Sequence, residues 1–210
     1  MSRFRYLSLV VAGALLRLSA VGAIVFIASG HASFAAEPAA AAKAHGPKVG
    51  DVAKDFELKG LDGEAVRLSK LVEDGPVVLV VLRGYPGYQC PICNVQVGDF
   101  LGKAAKFDAA DANLVFVYPG PAKGLEDKAT EFLRGKTLPE NVFLVVDPDY
   151  GFTNDYGLRW DAPQETAYPS TFVIDGDRKV RFAKVSTSHG GRAKASEVLE
   201  AVTTLNTGKK

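Results

Sequence analysis

The sequence predicts an α/β layer fold, with a mixed central β-sheet flanked by helices, and three observations carry that expectation. PVVLVVLRG, from Pro76 to Gly84, and LVFVY, from Leu114 to Tyr118, are continuous apolar runs of the kind that form strands buried on both faces. The segments between such runs repeat their apolar residues at helical spacing. STFVIDGDRKVRFAKV, residues 170–185, reads as two strands joined by the turn DGDR, which adds an antiparallel pair to the alternating pattern.

Taken in chain order, Val95, Val97, Phe100, Leu101, Ala104 and Ala105 define a helix from Cys93 to Phe107 on the near side of the second strand. GLEDKATEFLRG predicts the next helix, closed by Gly135. NVFLVVDP is the third strand, and a short helical piece around Tyr150–Tyr156 ends at Gly157. ASEVLEAVTTL is a final amphipathic helix. A domain of about 160 residues buries close to 70 % of its unfolded surface and needs no covalent staple to build a core.

The N-terminus has a separate character. Arg3 and Arg5 precede an apolar run from Leu7 to Ala28, and small residues follow at Ser33 and Ala35. That order is expected of a secretory signal over residues 1–35 cleaved after Ala35, with an uncleaved membrane anchor as the alternative. The protein is thus expected to be exported, to a periplasmic or other extracytoplasmic site. Residues 36–48, rich in alanine, read as a flexible spacer, and the domain is expected over 49–208. Removing Arg3, Arg5 and Arg17 from the 25 basic residues leaves 22 against 24 acidic ones, a balance with no electrostatic footprint for nucleic acid.

The chain has two cysteines, Cys90 and Cys93, in the turn RGYPGYQCPIC. As a structural staple the pair closes so short a loop that it removes only about 2 kcal/mol of unfolded-state entropy. Zinc needs two further ligands, and downstream of residue 35 only His45 and His189 offer imidazoles. The redox reading has positive support. Cys90 falls where the strand ending near Leu82 turns into the following helix, so unpaired N–H groups and the helix dipole favour a thiolate there. Pro91 suits the first helical position because it lacks the N–H that this position leaves unpaired.

KVGDVAKDFELKGLDGEAVRLSKL, VVLVVLRG, the CPIC turn, VVDPDYGFTNDYGL and YPSTFVIDGDRKV together resemble the thioredoxin-fold redoxins, specifically the alkyl hydroperoxide reductase/thiol-specific antioxidant (AhpC/TSA, peroxiredoxin-like) family. The resemblance runs from Lys48 to the last helix. It implies that Pro169 is a cis-proline facing the cysteines, with the backbone of Tyr168 left to pair with an extended substrate. Laid on the peroxiredoxin pattern, Pro86 and Cys93 fit the proline and the peroxidatic cysteine. Cys90 stands at the threonine position, and Pro169 where those enzymes place an arginine. Gln89 replaces the tryptophan of thioredoxins.

From the residues, Arg83 is a candidate to stabilise a thiolate from the strand end, and Tyr85 and Tyr88 to line the approach to Cys90. His189 reads as a solvated loop residue. The expectation is an exported thiol–disulfide oxidoreductase cycling Cys90 and Cys93, with no cofactor beyond the thiols. Its partners would be protein dithiols or disulfides, or a thioredoxin-like reductant. A thiol-dependent peroxidase acting on hydroperoxides is the alternative, and a copper-handling module with His189 as third ligand is another class. In the oxidoreductase assignment Cys90 is the accessible, attacking thiol and Cys93 resolves.

Overall fold

The computed structural model describes residues 46–207. The expected export segment and most of the expected spacer lie outside the described residues. The elements run β1 (Glu57–Gly60), β2 (Ala65–Arg67), α1 (Leu68–Asp74), β3 (Val77–Val81), α2 (Pro91–Leu101), α3 (Ala104–Asp108) and β4 (Asn113–Gly120). They continue with α4 (Leu125–Leu133), β5 (Val142–Pro148), α5 (Gly151–Asp155), β6 (Ser170–Ile174), β7 (Val180–Val185) and α6 (Ala195–Thr207).

The apolar run of β3 has no polar face because it lies inside the sheet, with β4 parallel on one side and β6 antiparallel on the other. The seven strands are ordered β2-β1-β5-β4-β3-β6-β7, with β4 and β5 also parallel and the outer pairs antiparallel. This is the mixed sheet that the pattern predicts, and the fold is thioredoxin-like.

Strand alternation sorts the core into two layers. Val78 and Val80 face the layer that holds Phe100, Phe107, Ala129, Phe132, Val198 and Val202 from α2, α3, α4 and α6. Val77, Leu79 and Val81 face Leu68 and Val72 of α1 and Phe152 beside Tyr156 at α5.

Two local differences from the sequence reading have clear causes. The helix expected from Cys93 to Phe107 is two helices, broken at Gly102 and Lys103. In one straight helix, positions seven apart are separated by about 10.5 Å along the axis. The break lets Phe100 and Phe107 stack with ring centroids 5.9 Å apart in the same core layer. No pattern in the sequence predicts the strands β1 and β2 or helix α1. The edge strand β2 and its neighbour β1 turn only Leu58 and Val66 toward the core, too few apolar residues for a period-two pattern.

The β6–β7 turn forms as its DGDR sequence predicts. Asp175 accepts the N–H groups of Asp177 (3.0 Å) and Lys179 (2.9 Å) and the Nε of Arg181 (2.6 Å). No helix among the described residues is long and apolar enough to cross a membrane.

Candidate redox site

The site begins where β3 ends. Leu82 N–H still bonds Val117 (3.0 Å), and Tyr85 N–H bonds Pro119 (2.9 Å), so the loop after β3 is held against the end of β4. Gly84 makes that approach possible. Its φ is +69°, and a Cβ there would come within 2.0 Å of the Pro119 carbonyl oxygen. Further along, Gln89 donates to the carbonyl of Lys128 (2.9 Å) and accepts from the Tyr118 hydroxyl (2.8 Å). Burial pushes the Tyr118 hydroxyl well above the ordinary tyrosine range, so it remains a donor. The residue in the tryptophan position of thioredoxins therefore ties the turn to α4 and β4.

Cys90 is the N-cap of α2 and Pro91 occupies its first position. The Cys93 N–H points at Cys90 Sγ (3.2 Å), as an N3 donor does toward a capping atom. The two cysteines form a disulfide with Cα atoms 5.3 Å apart. Cys90 is 2 % exposed and Cys93 0 %. The accessibility expected to distinguish Cys90 is thus absent in the oxidised state, because the loop and the chain packed over the helix start cover both sulfurs.

One covering group is a residue that the sequence reading passed over. Arg192, in the loop between β7 and α6, places Nη1 3.5 Å from Cys93 Sγ and Nη2 4.0 Å from Cys90 Sγ. Its Nη1 also donates to Gln96 Oε1 (2.9 Å) and its Nε to the His189 carbonyl (2.9 Å). No carboxylate lies within 4.0 Å of this guanidinium among the described residues. Burial, with the charge of Arg83 added, pushes its pKa down to about 10. With Gln96, whose Nε2 is buried without a hydrogen-bond partner among the described residues, it lines a cleft of about 390 Å³ together with Ile92 and Val95. Its contact with Cys93 spans 99 positions of sequence, and the only local signal was an arginine following two glycines beside the last helix.

Arg83, expected to stabilise a thiolate from the strand end, is engaged by other groups. It is 3 % exposed and bonds Glu165 Oε2 (2.6 Å), the Tyr88 hydroxyl (2.7 Å) and the Gln164 carbonyl (2.6 Å). Burial pushes its pKa down, but the bonds to Glu165 and Tyr88 outweigh that and raise it. Arg83 thus braces Tyr88 and the 164–165 loop. Tyr88 is 44 % exposed, and the partly buried Pro86 stands just before Gly87, which takes a φ of +112° in this turn. His189 is bound rather than simply solvated: its Nε2 lies 2.8 Å from Glu165 Oε1 and its ring centroid 5.3 Å from that of Trp160. Among the described residues, no group of three or more His, Cys, Asp or Glu side chains is placed to hold a metal ion.

Pro169 requires a correction. No peptide bond among the described residues is cis, so the bond before Pro169 is trans. The backbone of Tyr168 is also occupied. Its N–H bonds Leu158 (2.8 Å) and its carbonyl accepts from Ser170 Oγ (2.8 Å), while the Pro169 carbonyl accepts from Ser186 N–H (2.9 Å). The physical reason is the segment ahead of β6, which folds back antiparallel at Arg159 and Ala167 and stacks Trp160 on Tyr168 at 4.8 Å. The chain itself fills the edge that was expected to receive an extended substrate.

A mixed sheet that leads from its central strand into a helix capped by a bonded cysteine pair defines a thioredoxin-fold thiol oxidoreductase. Residues 49–183 match the model of the AhpC/TSA family, and the chain belongs to that family. It is 28 % identical over 139 residues to peroxiredoxin Bcp of Bacillus subtilis, a match covering 63 % of this chain and 82 % of that protein. The crystal structure of peroxidoxin BcpB from Mycobacterium tuberculosis superposes with a TM-score of 0.58 at 28 % identity, covering 76 % of this chain and 97 % of that one. A yeast mitochondrial 1-Cys peroxiredoxin shares the fold, with a TM-score of 0.62 at 18 % identity over 78 % of each chain.

Proposed function

We propose that the protein is a thiol-dependent peroxidase that stores its oxidising equivalents as the Cys90–Cys93 disulfide. The observation that carries this reading is the burial of both sulfurs, 2 % and 0 % exposed. A hydroperoxide is small enough to enter such a site, whereas a protein disulfide must bring its own sulfur into line with the attacking thiolate. The peroxiredoxin names of its relatives support the same reading.

In the first step a thiolate of the pair attacks the terminal oxygen of ROOH. The O–O bond breaks, an S–O bond forms, the sulfur loses two electrons, and the departing alkoxide takes a proton to leave as ROH. The second thiol then attacks the sulfenic acid, forming the disulfide and releasing water. A small dithiol, able to reach the covered sulfurs as a hydroperoxide does, restores both thiols by exchange, and the apolar surface of Tyr88, Ile92 and Val95 lies beside the pair. Export belongs to the proposal on the strength of the residue order in 1–35.

Exchange with protein disulfides is the second reading, favoured by that same apolar surface, on which Val95 is 74 % exposed. The test compares the reduced protein's oxidation by dilute hydrogen peroxide and by cumene hydroperoxide with its rate on insulin or a disulfide peptide. Peroxide should win. Faster exchange with insulin would reverse the assignment.

A further inference from the structure

The sulfurs are covered, yet α2 turns an apolar face to solvent beside them. Ile92 and Val95 stand one turn apart on this helix, 44 % and 74 % exposed, and both line the cleft of about 390 Å³ that also takes in Gln96, Asp99, Arg192 and Lys194. That volume is at the low end of the range for small-molecule sites. The rim carries unbalanced charge. Asp99 is already bound by Lys103 and by the Ala195 N–H (2.8 Å), whereas no carboxylate lies within 4.0 Å of the exposed Lys194 or the partly exposed Arg192 among the described residues. The cleft also ends at the pair, since Arg192, one of its walls, places Nη1 3.5 Å from Cys93 Sγ. An apolar floor and a cationic rim beside a disulfide fit a molecule that is a thiol at one end, aliphatic along its length and anionic at the other end.

We propose that this cleft seats the reductant of the Cys90–Cys93 disulfide, a small dithiol carrying an aliphatic chain that ends in a carboxylate. The proposal rests on the pair being turned over by thiol exchange, as the peroxidase reading requires. The chain lies on Ile92 and Val95, the carboxylate meets Lys194, and the thiol end lies toward Arg192 and Cys93. Arg192 is held over the sulfur by Gln96 Oε1 and the His189 carbonyl, with no ion pair, so its side chain can give way to the incoming group. One thiolate of the reductant attacks Cys93 Sγ. An S–S bond forms between them, the Cys90–Cys93 bond breaks, and Cys90 leaves as a thiolate that takes a proton. The reductant's second thiol, deprotonated, then attacks its own partner sulfur in this mixed disulfide. Cys93 is released with a cyclic disulfide, and two electrons have passed from the reductant to the pair. A dithiol suits a covered site because its second thiol is already in place, whereas a monothiol needs a second molecule to enter.

The experiment follows reduction of the oxidised protein without peroxide, by alkylation of the thiols released. Dihydrolipoate is the probe. Dihydrolipoamide has the same chain without the charge, and dithiothreitol has neither. Each rate is divided by that of the same dithiol on hydroxyethyl disulfide, which removes differences in intrinsic reactivity. A buried methylene is worth about fourfold, so the dihydrolipoate ratio should exceed that of dithiothreitol by at least about tenfold. It should exceed that of the amide by about two- to fivefold at low salt and lose this advantage at ~1 M salt, because an exposed ion pair is weak and screened. Lys194→Gln should bring the acid and the amide together, and Val95→Gln should lower both of their ratios relative to dithiothreitol. An acid no faster than dithiothreitol, or no faster than the amide, would overturn the proposal, and so would a thioredoxin that outpaces dihydrolipoate. A protein inert to peroxide that still prefers dihydrolipoate would support the cleft and defeat the peroxidase reading. One that turns over peroxide with all three dithiols alike would do the reverse.

Discussion

Arg83 and Glu165 lie 82 positions apart in the chain and close a 2.6 Å ion pair whose side chains are 4 % and 11 % exposed. The second carboxylate oxygen of Glu165 faces His189, so one side chain ties the end of β3 to the loop that carries Arg192. Removing one partner of a buried pair leaves the other charge stranded. Glu165→Ala should therefore cost about 3–5 kcal/mol, read from urea unfolding by the fluorescence of Trp160, the one tryptophan in the chain. A loss below about 1 kcal/mol would mean that water reaches Arg83 freely.

Gly84 should tolerate no side chain. Its φ of +69° and the Pro119 carbonyl 2.0 Å from a built Cβ predict that Gly84→Ala loses roughly 1–3 kcal/mol and loosens the cysteine turn. Thermal unfolding measures the first effect, and faster alkylation of the reduced cysteines the second. Wild-type stability in this variant would show that the loop can move away from β4 without penalty.

Asp175 supplies a pH-dependent share of stability. Burial alone would raise its pKa, but the Lys179 N–H, the Arg181 guanidinium and the Asp177 N–H outweigh that and hold it below 3.8. A carboxyl with a depressed folded-state pKa stabilises fully above its unfolded value, and that contribution disappears as the pH falls through the folded value. Asp175→Asn should cost about 2 kcal/mol at neutral pH. The gap to wild type should close as the pH falls below about 4, followed by urea midpoints across that range. A gap that stays constant with pH would show that the carboxylate charge contributes nothing.

The two cysteines should behave differently under oxidant. In Cys90→Ser, dilute peroxide should leave a sulfenic acid at Cys93 that dimedone traps, because the resolving thiol is gone. Cys93→Ser should give less adduct, since the thiol left at Cys90 lies farther from Arg192. Equal labelling of both variants would remove the asymmetry.

Much of the fold was legible because it is written in local patterns. The consecutive valines of β3 and the DGDR turn report strand burial and chain reversal through near neighbours, and the position of Pro91 marks a helix start. The strands β1 and β2 are not legible in the sequence because their few inward residues are shared out over a polar stretch. The break at Gly102 answers a tertiary demand that no local pattern carries, the placement of Phe100 and Phe107 in one core layer.

The sequence by itself determined the α/β class, the redox pair and its place at the start of α2, since a CxxC turn between a buried strand and a helix is a local arrangement. Tertiary structure alone decided what surrounds the sulfurs. It turned Arg83 inward to Glu165, closed the edge at Tyr168 with the chain's own backbone, and brought Arg192 across 99 positions to within 3.5 Å of Cys93. Charge pairing and burial depend on distances through space, and nothing in residue spacing encodes which distant loop will pack over a helix terminus.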